Sequence, residues 1–78
     1  MNNLEKYNAA FCETLNIEEA QLAGLKYQAI PEWDSVGHMS LVAAIEDAFD
    51  IMMETDDIID LSTYEKGKEI LKKYEVEI

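Results

Sequence analysis

The sequence predicts an all-α fold: a four-helix bundle with a long first loop and a short third helix, forming a single domain over residues 1–78. Three observations carry this. Apolar residues recur at three- and four-residue steps in separate stretches. Helix-start signals precede three of those stretches. No stretch alternates apolar and polar residues over the length of a strand.

Leu4, Tyr7, Asn8, Phe11 and Leu15 define the first helix, over about residues 3–15. Residues 16–33 lose that period. Pro31 opposes helix there and pushes Ile30 toward extended backbone. Leu22, Leu25, Tyr27, Ile30 and Trp33 are too apolar for a solvated linker, so this segment is expected to fold back over the bundle, with one short turn at Glu18–Leu22. Asp34 is an N-cap for a second helix from Ser35 to Phe49 or Asp50. Thr55 is expected to cap a short third helix, whose positive end Asp56 and Asp57 would favour. Ser62-Thr63-Tyr64-Glu65 reads as a capping box opening the last helix, with Gly67, Ile70, Leu71 and Tyr74 on one face. Gly67 costs helix stability, which a close helix crossing would explain.

A core of this size supports only ~3–5 kcal/mol of net stability and leaves little room for a deep catalytic cleft. The 78 residues hold 17 acidic and 6 basic side chains, a net charge of −11, and no arginine. This opposes binding to nucleic acid or to anionic membranes. It favours basic protein partners, reached by steering that weakens with salt. No apolar run reaches the ~20 residues of a membrane span, and the N-terminal stretch lacks the features of a signal peptide. One cysteine, Cys12, forms no internal disulfide and reads as a packed small hydrophobe. The expected setting is a cytoplasmic monomer.

The most informative stretch is Trp33 to Ile51, WDSVGHMSLVAAIEDAFDI. It places Ser35 at a helix start, directly after Asp34, with only His38 nearby to activate it. Such a hydroxyl is poorly equipped to attack a substrate and well placed to be modified. Asp34-Ser35-Val36, followed by Leu41, Val42, Ile45, Glu46, Phe49 and Ile51 in the pattern L-V-x-A-I-E-x-x-F-D-I, resembles the acyl carrier proteins. The likeness extends over nearly the whole chain. It implies that Ser35 carries a covalent 4'-phosphopantetheine arm. It also implies partners: a phosphopantetheinyl transferase, acyl- or aminoacyl-loading enzymes, and acyltransferases. D-S-x-G is also similar to the D-alanyl carrier proteins, while Trp33 and Gly37-His38-Met39 look more like stand-alone carriers of specialised biosynthesis. Gly37 and Ser40 depart from the family, standing where many fatty-acid carriers place acidic residues.

At ~100° per residue, Leu41, Val42, Ile45 and Phe49 of the second helix face the core. Val36, Met39, Ala43, Glu46, Asp47 and Asp50 face away, with Ser35 at the corner. Asp34, Val36, Met39, Glu46, Asp47 and Asp50 are therefore the candidate partner-recognition residues, although a solvated face with scattered apolar residues is the plainer reading. A phosphodiester on Ser35 would meet the free N–H groups of the helix start. His38, alone near the core-facing edge, makes neither a metal site nor a triad and reads as structural. Asp50, Glu54, Asp56, Asp57 and Asp60 lack the spacing and glycine of a calcium loop, so no dedicated metal site is expected. The expected protein is thus a carrier and not an enzyme. The alternative is an unmodified acidic helical adaptor or inhibitor that binds a basic protein.

Overall fold

Asn2 starts the first helix by accepting from Glu5 N–H at 2.8 Å, while the Glu5 carboxylate accepts from Asn2 N–H at 3.4 Å. This reciprocal cap satisfies two backbone donors at the helix start. The computed structural model describes residues 2–78 and contains four α-helices: α1 (Asn3–Leu15), α2 (Ser35–Phe49), α3 (Thr55–Asp60) and α4 (Tyr64–Lys72). A 3-10 turn, Glu19–Gln21, lies inside the first loop, where the sequence suggests a turn. Among the described residues there is no strand, only one isolated bridge between Lys26 and Thr63. Among the described residues no helix is long and apolar enough to cross a membrane.

α1 buries Tyr7, Ala10, Phe11 and Leu15 and ends at Asn16 in the left-handed region (φ 56°), a conformation asparagine tolerates. Leu4, expected on the buried face, is instead 40% exposed. Cys12 is half-buried. Burial, followed by the charges of Glu19 and Glu13, pushes its thiol pKa up, so it stays protonated.

The first loop contributes to the core. Leu22, Leu25 and Trp33 are buried, and Trp33 is fully so. The Phe11 ring lies edge-on to Trp33, Tyr64 and Tyr7, with centroids 5.5, 5.3 and 5.0 Å away. One aromatic cluster therefore joins α1, the loop and α4, a geometry that adds stability beyond area burial. Tyr27 N–H donates to Ser62 O at 2.8 Å, and Tyr64 N–H donates to Leu25 O at 3.0 Å. These bonds fasten the loop to the α3–α4 connection.

Two expected caps shift by one residue. Thr55 is the first residue of α3, whose N-cap is Glu54 with no side-chain bond. α4 is capped by Thr63, whose Oγ1 accepts from Lys66 N–H at 2.9 Å, rather than by Ser62. Pairing with Lys26 holds Thr63 extended, and an extended residue is what an N-cap position requires. Asp57 does not face solvent. It is 3% exposed and accepts from Lys73 Nζ and Tyr74 Oη, each at 2.5 Å. These donors hold its carboxyl below the ordinary range.

Gly67 lies where α4 packs against the Tyr7 side chain of α1. A methyl there would collide with the Tyr7 hydroxyl and stand 2.8 Å from Leu61 Cδ1. The Tyr7 hydroxyl donates to Tyr64 O at 2.5 Å, and burial pushes its pKa strongly upward.

Candidate functional site

Asp34 sets the position of Ser35. Its backbone is extended, its Oδ1 accepts from Gly37 N–H at 2.8 Å, and its carbonyl accepts from His38 N–H at 2.7 Å. Ser35 is thereby the first residue of α2, with an exposed side chain. Its own N–H and that of Val36 have no acceptor among the described residues, as expected of a helix start. Gly37 is required by packing: a methyl at this position would run into the carbonyl oxygen of Glu32. The turn before the helix lies directly against the helix start.

The Ser35 Oγ lies 3.2 Å from the Tyr27 hydroxyl. Tyr27 is held in place by its backbone bond to Ser62. From Ser35 a groove of about 330 Å³ runs between the first loop, α2 and α3, bordered by Tyr27, His38, Met39, Ile58, Ile59 and Leu61. Its lining is mainly apolar. His38 is half-buried beside it. The Trp33 Nε1–H donates to His38 Nδ1 at 3.0 Å, and His38 Nε2 lies 2.8 Å from Ile58 O. Both ring nitrogens are engaged within the fold, so the imidazole is not free to act as a base on Ser35.

The candidate recognition residues separate into groups. Val36 and Met39 are 76% and 55% exposed, and Ile59 of α3, at 72%, extends the same apolar surface. Met39 shares the groove with Ser35. Asp34 spends one carboxylate oxygen on its own cap. Glu46 is half-buried, and its carboxylate accepts from Met53 N–H at 2.8 Å, bracing the turn after α2. Asp47 is exposed but borders a separate hollow of about 390 Å³ between α1 and α2, near Lys6, Ala9 and Ala44. Asp50 is exposed and ends α2 in the left-handed region. The carboxylates therefore do not ring Ser35; its immediate surroundings are apolar and aromatic. Among the described residues no His, Cys, Asp and Glu side chains gather as a metal-binding group.

Sequence reasoning did not assign Tyr27, Ile58 or Ile59 to the site. The one signal was the apolar content of the loop, which pointed to packing and not to Ser35. No protein-family model, no curated protein and no solved structure matches this chain.

Proposed function

We propose that this chain is a carrier protein, itself not catalytic, whose Ser35 hydroxyl bears a covalent 4'-phosphopantetheine arm. The observation that carries the reading is the setting of Ser35: an exposed Oγ on the first residue of α2, beside unpartnered N–H groups, at the mouth of an apolar groove. Those N–H groups and the positive end of the helix suit the phosphodiester through which the arm is attached. When bound, the arm supplies a terminal thiol on which acyl or aminoacyl groups ride as thioesters. The protein's own contribution is attachment, a groove that suits apolar cargo, and a docking surface. Val36, Met39 and Ile59 form an exposed apolar patch beside Ser35 for the transferase and for loading enzymes and acyltransferases. Asp47 and Asp50 add long-range attraction for basic partners.

The alternative reading, an unmodified acidic adaptor, uses the same patch and leaves Ser35 bare. One experiment separates the two. The chain and its Ser35→Ala variant are incubated with coenzyme A and a phosphopantetheinyl transferase of broad specificity, and intact masses are measured. The carrier reading expects one adduct on the parent chain and none on the variant. An adduct that persists on the variant overturns the assignment to Ser35. A parent chain that stays unmodified favours the adaptor.

A further inference from the structure

The indole of Trp33 is fully buried, and its N–H has one acceptor, His38 Nδ1. An indole nitrogen only donates, so Nδ1 must offer a lone pair. The ring proton then sits on Nε2 and is donated to Ile58 O. The Trp33 and His38 ring planes are only 15° apart, as an in-plane bond between the two nitrogens allows. The neutral imidazole thus ties the first loop to α3, and it does so along the wall of the Ser35 groove. An imidazolium has two N–H donors and no acceptor. Protonation sets Nδ1–H against Trp33 Nε1–H and leaves a buried donor without a partner, a costly arrangement.

We propose that His38 is a positioning residue that holds the Ser35 groove at its observed width only while its ring is neutral. On protonation the ring releases Trp33, keeps its bond to Ile58 O, and moves with α3 away from the loop. The groove widens on the side of Ile58 and Ile59. This inference does not rest on the carrier reading. The charged and titratable groups around the ring are acidic or phenolic, and none of them is bonded to it. On the loop, Tyr27 lies edge-on to His38 at 5.4 Å, and Glu32 is exposed. On its own helix, Asp34 is committed to Gly37 N–H. On α3, Asp57 is tied to Lys73 and Tyr74, and Asp56 and Asp60 are exposed. Among the described residues the ion pairs are Lys66–Glu69 and Lys73–Asp57, and neither involves His38.

The chain has one histidine and one tryptophan, so each signal is unambiguous. The test follows the imidazole nitrogens and the Trp33 indole N–H of ¹⁵N-labelled protein by NMR, from about pH 8 to about pH 5, the range in which histidine ordinarily changes charge. Far-UV circular dichroism in parallel reports whether the helices persist. The expected result is the Nε2–H tautomer at the alkaline end. As the ring titrates, exchange of the Trp33 N–H with water rises about tenfold or more, the effect of losing one hydrogen bond. The amides of Ile59 and Leu61 shift in the same step. His38→Gln, whose amide both accepts and donates without titrating, shows no such step. The Nδ1–H tautomer overturns the proposal. So does exchange that stays level through the titration, a ring that stays neutral until the helices unfold, or the same step in His38→Gln. If His38→Gln does not fold, the tautomer and exchange measurements on the parent chain decide alone.

Discussion

Replacing Gly67 with alanine adds one methyl where α4 packs against Tyr7 of α1. That methyl meets the Tyr7 hydroxyl and lies 2.8 Å from Leu61 Cδ1. The Leu61 branch can rotate away. The Tyr7 hydroxyl cannot move without abandoning Tyr64 O, its acceptor in the core. Two costs follow: overpacking of ~1–3 kcal/mol and loss of a buried hydrogen bond, another ~1–3 kcal/mol. The better helix propensity of alanine offsets ~1 kcal/mol. The net destabilisation is about 1–5 kcal/mol, against a whole-domain stability of ~3–5 kcal/mol. Urea unfolding followed by circular dichroism measures it. A second variant identifies the cause. Tyr7→Phe removes the oxygen that blocks the methyl, so Gly67→Ala should cost much less in the Tyr7→Phe background, a favourable coupling of about 1 kcal/mol or more. If Gly67→Ala stabilises the parent chain, or costs the same in both backgrounds, α4 does not pack on Tyr7 as described.

Two other predictions test the faces of α2 and the α3–α4 contact. Leu41 is fully buried and Met39 is 55% exposed. Leu41→Ala should therefore cost ~2–5 kcal/mol and Met39→Ala within about 0.5 kcal/mol, measured by the same urea titration; the reverse order would mean that the faces are swapped. The Asp57 carboxyl is held below its ordinary value of 3.8, first by Lys73 and then by Tyr74. A lowered folded-state value means that the contribution is complete above the ordinary value and is lost as pH falls through the lowered one. Lys73 and Tyr74 are raised above 10.5 and 10.0, in each case first by their bonds to Asp57. Their contribution is complete below those ordinary values and is lost as pH rises through the raised ones. The urea midpoint of Asp57→Asn should thus fall less steeply than that of the parent chain at both extremes of pH; identical profiles would refute the coupling.

What the sequence revealed about the fold was local. α1 and α2 were legible because their apolar period and the Asp34 cap are properties of neighbouring residues. The tight packing at Gly67 was legible because a helical glycine with no local reason needs a distant one, here the Tyr7 side chain. The cap at Thr63 was not, because tertiary pairing with Lys26 selects it over Ser62. The surroundings of Ser35 were only half legible. The motif and helix position mark the serine. Its wall, made by Tyr27, the Trp33–His38 pair and Ile58, comes from three separate segments with no shared period. Glu46 was misleading in a similar way, since helical spacing turns it outward while the following turn brings Met53 N–H back to it.

The fastening of residues 25–27 to residues 62–64 has a consequence for the order in which the chain matures. Those residues come from opposite halves of the sequence, and their contact closes a large loop of chain that includes all of α2 and α3. Contacts of this separation reward the chain only after the closure entropy has been met. A nascent chain can wind α2 and expose Ser35 before then. The bond that fixes Tyr27 beside the serine, from its N–H to Ser62 O, forms only once that closure is made. The surroundings of the serine are therefore complete only late, when both halves of the chain have met.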